Sequence, residues 1–196
     1  MVDIELKPLT DRKAEILQAA TQLFSQKGYL ATSMRDLAEV LDIKPASLYS
    51  HYVSKDEMLW EIAVRSSQKF HEKVLPLAEG EGTPLERLEA MIRMHIDIMI
   101  ENVPAAAIFF REWTHLEEPR RTTYGESIRR YRFIIAGVVK EGIEAGQCRE
   151  GSPRFLTSLL LASINWLHQW YKPEGRMSVE EIEEAITTFI LQGLKK

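Results

Sequence analysis

Along most of the chain apolar residues return at intervals of three and four, and no stretch alternates apolar with polar residues in the manner of a strand. That periodicity belongs to helices with one buried face, so an all-α fold of about nine helices is expected. Start and stop signals predict helices over 11–27, 34–41, 45–52, 54–74, 84–101, 104–115, 119–145, 153–171 and 178–194. Thr10 and Ser33 stand where N-caps are needed, Pro45, Pro104, Pro119 and Pro153 fall in first turns, and Gly28 lies just past the end of the first helix. The chain divides near residue 54 into a trihelical head, residues 1–54, and a larger helical body, residues 55–196, with the fourth helix shared between them.

The head carries the clearest chemistry. Its second and third helices are short and joined by a tight connection at Asp42-Ile43, the pattern of a helix-turn-helix. Leu37, Ala38, Leu41, Ile43 and Leu48 are expected to pack the pair against Phe24. The other face of the third helix then presents Lys44, Ala46, Ser47, Tyr49 and His51, which no core needs and which suit phosphates and base edges.

Three runs fix many positions in order: Ile16-Leu17-x-Ala19-Ala20-x-x-Leu23-Phe24 with Gly28-Tyr29, then Thr32-Ser33-Met34-Arg35-Asp36-Leu37-Ala38, then Leu48-Tyr49-x-His51-Tyr52-x-x-Lys55-Asp56-x-Met58-Leu59. Together they closely resemble the TetR family of bacterial transcriptional regulators over about residues 12–60. The resemblance implies a homodimer whose heads bind a palindromic operator in double-stranded DNA and whose body binds a small effector. By position it makes Arg35, Lys44, Ala46, Ser47, Tyr49, His51 and Lys55 the DNA-facing residues. Ligand in the body is expected to shift the fourth helix and change the spacing of the two heads.

The body points to a second chain. In the 153–171 stretch Phe155, Leu160, Trp166 and Trp170, among others, go round the whole helix, so both sides need cover. With the stripe of the last helix, which includes Ile186 and Phe189, they predict a four-helix dimer interface.

Asn165-Trp166-x-x-x-Trp170-Tyr171-x-Pro173-x-Gly175, followed by Ser178-Val179-Glu180-Glu181-Ile182 and Gly193-Leu194, resembles the FadR-like branch of the family, which responds to acyl-CoA thioesters. The resemblance implies a hydrophobic effector, an acyl-CoA of lipid or aromatic-acid catabolism, acting as ligand rather than cofactor. Candidate effector residues are Met91, Met94, His95, Ile98, Phe109, Phe110, Trp113 and Tyr131, with Arg129 and Arg130 for the CoA phosphates. Arg120, Arg121 and Arg132 crowd the same stretch. A TetR-like regulator of another hydrophobic compound, such as a drug, is the other reading.

Composition narrows the classes without changing this picture. The 196 residues carry a net charge of −4 with 45% hydrophobic residues, ordinary for a globular chain. Cys148 is the one cysteine, which excludes an internal disulfide and a cysteine-built metal site. An N-terminus without an apolar run, and a longest uncharged stretch of 155–171, predict a cytoplasmic protein with neither secretory signal nor membrane span. The head holds no excess of basic residues, so affinity for DNA must come from a few placed cations. No catalytic motif is present. Glu112 and His115, three apart, have the spacing of two metal ligands or of a helix salt bridge, and a salt bridge or plain packing is the expectation.

Overall fold

The computed structural model describes residue 6 and residues 8–196. Among these there is no β-strand, and the all-helical expectation is borne out. The helices are α1 (Asp11–Lys27), α2 (Met34–Val40), α3 (Pro45–Tyr49), α4 (Lys55–Lys73), α5 (Pro84–Glu101), α6 (Val103–Arg111), α7 (Arg120–Glu144), α8 (Pro153–Asn165), α9 (Leu167–Trp170) and α10 (Val179–Leu194). Their starts follow from local chemistry. Thr10 accepts from the Lys13 amide, and Ser33–Asp36, Thr83–Glu86 and Ser178–Glu181 form reciprocal capping boxes.

Three boundaries depart from expectation. Residues 75–79, read as a break, wind into a 3-10 turn. The α6 helix tightens into a second 3-10 turn at Glu112–His115. The single helix expected over 153–171 divides at Trp166: the His168 imidazole lies 2.5 Å from the Asn165 carbonyl, and the Gln169 amide donates to Trp166 instead.

Two compact units are present. The first holds the described residues up to 67 together with 104–127; the second holds 68–103 and 128–196. Division at 67 and 127 falls inside α4 and α7. The first unit is built on Ile16, Phe24, Leu37, Leu48, Met58, Leu59 and Ile108, all fully buried. In the second, α5 packs on α8, α10 and the 75–79 turn, with Leu88, Ile96, Met99, Val139 and Ile164 inside.

Gly142 of α7 is a close approach that only glycine permits. The Cys148 amide donates to its carbonyl at 2.9 Å, and a Cβ here would stand 2.6 Å from the Cys148 sulfur. Gly142→Ala should therefore cost about 1–3 kcal/mol by overpacking. Adding Cys148→Ala should restore most of that loss in urea unfolding, because the new methyl then takes the space the sulfur leaves.

Candidate functional site

The α2–turn–α3 unit is a helix-turn-helix. Leu37 and Ala38 of α2 and Leu48 of α3 turn inward, and Asp42 makes the turn in the left-handed region at φ 51°, which aspartate tolerates better than most residues. Pro45 opens α3. Because Leu48 holds α3 to the core, the opposite face is left to solvent: Lys44, Ala46, Ser47 and Tyr49 are exposed, with Arg35 exposed on α2. His51 is half-buried. Lys55 has another task. Its ammonium donates to the carbonyls of Tyr29 at 2.8 Å and Thr32 at 2.9 Å and lies 4.3 Å from the centre of the Tyr29 ring. Burial lowers its pKa. It straps the α1–α2 connection to the start of α4, with one N–H left over for an outside acceptor.

A polar cluster that sequence reasoning missed surrounds this strap. Asp56, only 7% exposed, pairs with Arg120 at 2.5 Å and accepts from the Glu117 amide at 2.9 Å. Glu112, equally buried, accepts from the Tyr29 amide at 3.3 Å, and the Tyr29 ring stacks on His115 at 5.8 Å. Burial and the nearby acids push the Tyr29 phenol up to about 12. His115 Nε2 lies 3.7 Å from Glu112 Oε2; among the described residues no group of three ligands is placed to hold a metal.

The effector candidates fall into two groups. In the second unit Met91, His95, Ile98 and Tyr131 are buried and Met94 is half-buried. His95 Nδ1 is 2.8 Å from the Tyr131 hydroxyl, Phe70 packs 4.7 Å from the imidazole, and His71 stacks on Tyr131. Burial drives the His95 pKa down to about 3 against a small upward pull from Asn165, so the ring is neutral. In the first unit Phe109, Phe110 and Trp113 gather with Tyr124, which the sequence reading did not nominate. Arg129 and Arg130 are exposed; Arg121 pairs with Glu118, and Arg132 donates to Ser158.

Of the interface candidates, Phe155, Trp166, Trp170 and Phe189 are exposed and Ile186 is half-buried. Leu160 differs from the other candidates: it is 4% exposed and buried within the chain itself, while its neighbour Leu159 faces out at 52%.

An exposed polar helix fixed by a helix-turn-helix, in a chain otherwise made of helices with aromatic interior clusters, is the build of a helix-turn-helix transcriptional regulator. The profile of bacterial regulatory proteins of the tetR family matches residues 16–62, and that of the tetracyclin repressor-like C-terminal domain matches residues 81–194; the chain belongs to the TetR family. It is 29% identical over 185 residues to the HTH-type transcriptional repressor KstR2 of Rhodococcus jostii, covering 93% of this chain and 91% of that one. Among solved structures, the ketosteroid transcriptional regulator KstR2 of Mycobacterium tuberculosis superposes with a TM-score of 0.90 at 24% identity, covering 96% and 97% of the two chains. AibR, solved in complex with isovaleryl coenzyme A and operator DNA, gives 0.82 at 26% identity, covering 91% and 97%. The resemblance read from the motifs is borne out.

Two measurements check these clusters. Arg120→Ala leaves the buried Asp56 without its counter-charge and should cost about 2 kcal/mol in urea unfolding; adding Asp56→Asn should recover part of it. The second concerns His95. Its folded pKa lies below its unfolded value of 6.5, so the unfolded chain binds a proton that the folded one refuses, and stability falls as pH drops from 6.5 toward 3. Between pH 7 and 5 the wild type should lose about 2 kcal/mol more than His95→Gln.

Proposed function

We propose that the protein is a cytoplasmic, homodimeric repressor that binds a palindromic operator through α3 and leaves it when the body takes up an acyl-CoA thioester. The observation that carries this reading is the likeness to AibR over nearly the whole of both chains, since that relative was solved with isovaleryl coenzyme A and operator DNA together. The exposed face of Lys44, Ala46, Ser47 and Tyr49, with Arg35 beside it, supports DNA contact; Lys55 reaches a phosphate only with its remaining N–H. Residues 1–54 are then the DNA-binding part and 55–196 the effector-binding and dimerisation part, with 104–127 being the portion of the body that packs in one unit with the head.

Dimerisation is supported by the large apolar side chains that α8, α9 and α10 leave uncovered. Phe155, Leu159, Trp166, Trp170 and Phe189 stand in water in the single chain, at a cost that a second copy removes twice over. No step in this function requires a catalytic group, a metal or a cofactor.

The test uses DNA from the protein's own promoter. Fluorescence anisotropy should show release by at least one member of a panel of acyl-CoA thioesters, isovaleryl-CoA included, with an affinity change of about a hundredfold, roughly 2.7 kcal/mol of coupling. The free acids should not release it, because a carboxylate enters an apolar site at a desolvation cost and lacks the CoA phosphates. Charge reversal at Arg129 and Arg130 should abolish the response. Trp166→Glu with Phe189→Glu should sediment as monomers that no longer hold the operator. A panel in which no member releases the operator would end the thioester reading in favour of another hydrophobic effector, and a doubly substituted chain that stays dimeric would move the interface elsewhere.

A further inference from the structure

The α7 helix buries two tyrosines seven residues apart, hence on one face and two turns from each other. They are treated differently. The Tyr131 hydroxyl has His95 at 2.8 Å. The Tyr124 hydroxyl, on a residue only 1% exposed, has no hydrogen-bond partner. Its ring meets Phe109 edge to face at 5.9 Å and Trp113 at 5.6 Å. For packing among those rings phenylalanine would serve as well, and it would spare the fold a stripped hydroxyl. Thr157 and Thr187 also bury hydroxyls without partners, but a threonine in a helix reaches the carbonyl one turn back by rotation about a single bond. A tyrosine hydroxyl stands at the far end of its ring and has no such recourse.

We propose that the Tyr124 hydroxyl is the hydrogen-bond donor for an uncharged carbonyl oxygen of the effector, with Phe109 and Trp113 packing against the apolar group beside that carbonyl. This rests on the reading of the 109–113 segment as part of the effector site. Burial holds the phenol well above its ordinary pKa, so it keeps its proton and donates. The preference for a carbonyl over a carboxylate follows from the surroundings. The rings supply no counter-charge, and the residue beside Trp113 is the buried acid Glu112. A thioester and a ring ketone both offer such an oxygen. Glu112 is also the residue that accepts from the Tyr29 amide. A ligand pressing on Trp113 therefore acts on the segment that anchors the end of α1.

The test titrates three probes into full-length wild type and Tyr124→Phe: hexadecanoyl-CoA, the S-hexadecyl-CoA thioether that lacks the carbonyl, and androst-4-ene-3,17-dione, which carries ketones without CoA. Wild type should bind the thioester about tenfold more tightly than the thioether, and Tyr124→Phe should bind the two alike. Without ligand, Tyr124→Phe should melt no lower than wild type, because the group removed had no partner. A variant that keeps the thioester preference, or that melts several degrees lower, overturns the proposal. If wild type binds the dione and neither CoA species, the thioester reading fails by itself, and a roughly tenfold weaker dione affinity in Tyr124→Phe sustains the Tyr124 assignment. Should none of the three bind wild type, both fall.

Discussion

A buried carboxylate must be answered by charge and by hydrogen bonds, and Asp56 sets the arrangement of the first unit through that requirement. It lies in the first turn of α4, where the helix terminus favours a negative charge, but it is too deeply placed for water to complete its shell. Arg120 and the Glu117 amide complete it. Glu112 repeats the arrangement nearby by taking the Tyr29 amide. With Lys55 tied to the carbonyls of Tyr29 and Thr32, the end of α1, the start of α4 and the 112–120 segment are fastened by polar contacts that each have a partner.

The helices were legible because their evidence is local. Caps, prolines at first turns and three-four periodicity all lie within a few residues of the structure they determine, and the predicted spans fall within a few residues of those found. The exposed face of α3 was legible for the same reason, since Leu48 fixes which side is inward. Misses arose where the decisive partner is distant or the local signal has no phase. Asp56 reads like any acid at a helix start, and nothing near it announces Arg120. Lys55 reads as a DNA-facing charge, and nothing local announces its carbonyl partners, which lie 26 and 23 residues away. Leu159 and Leu160 sit in a run apolar on every side, which carries no indication of which of them faces the core. At Trp166 the helix divides where the backbone switches to a tighter bond and the His168 ring lies against the Asn165 carbonyl, a detail that no periodicity announces.

The same contrast orders the polar groups inside the fold. His95 Nδ1 and the Tyr131 hydroxyl bond one another and both side chains remain uncharged, so the second unit contains a hydrogen bond where its apolar pattern alone predicts none. Residues nominated together from sequence as one pocket, such as Met91 and Trp113, belong to different compact units. Apolar and aromatic character identifies what is hidden from water; it does not identify which hidden group keeps company with which.

Dependence of the head on residues 112–120 has a consequence for the order in which the chain acquires structure. The contacts that complete Tyr29 and Asp56 join positions 83, 61 and 64 residues apart. During synthesis from the N-terminus, α1, α2 and α3 therefore emerge well before the groups that finish their unit, and the closure of those long loops must precede their full stability. The helix-turn-helix is completed only once residues 112–120 have been made, so a nascent or truncated head lacks the anchors that finish its unit.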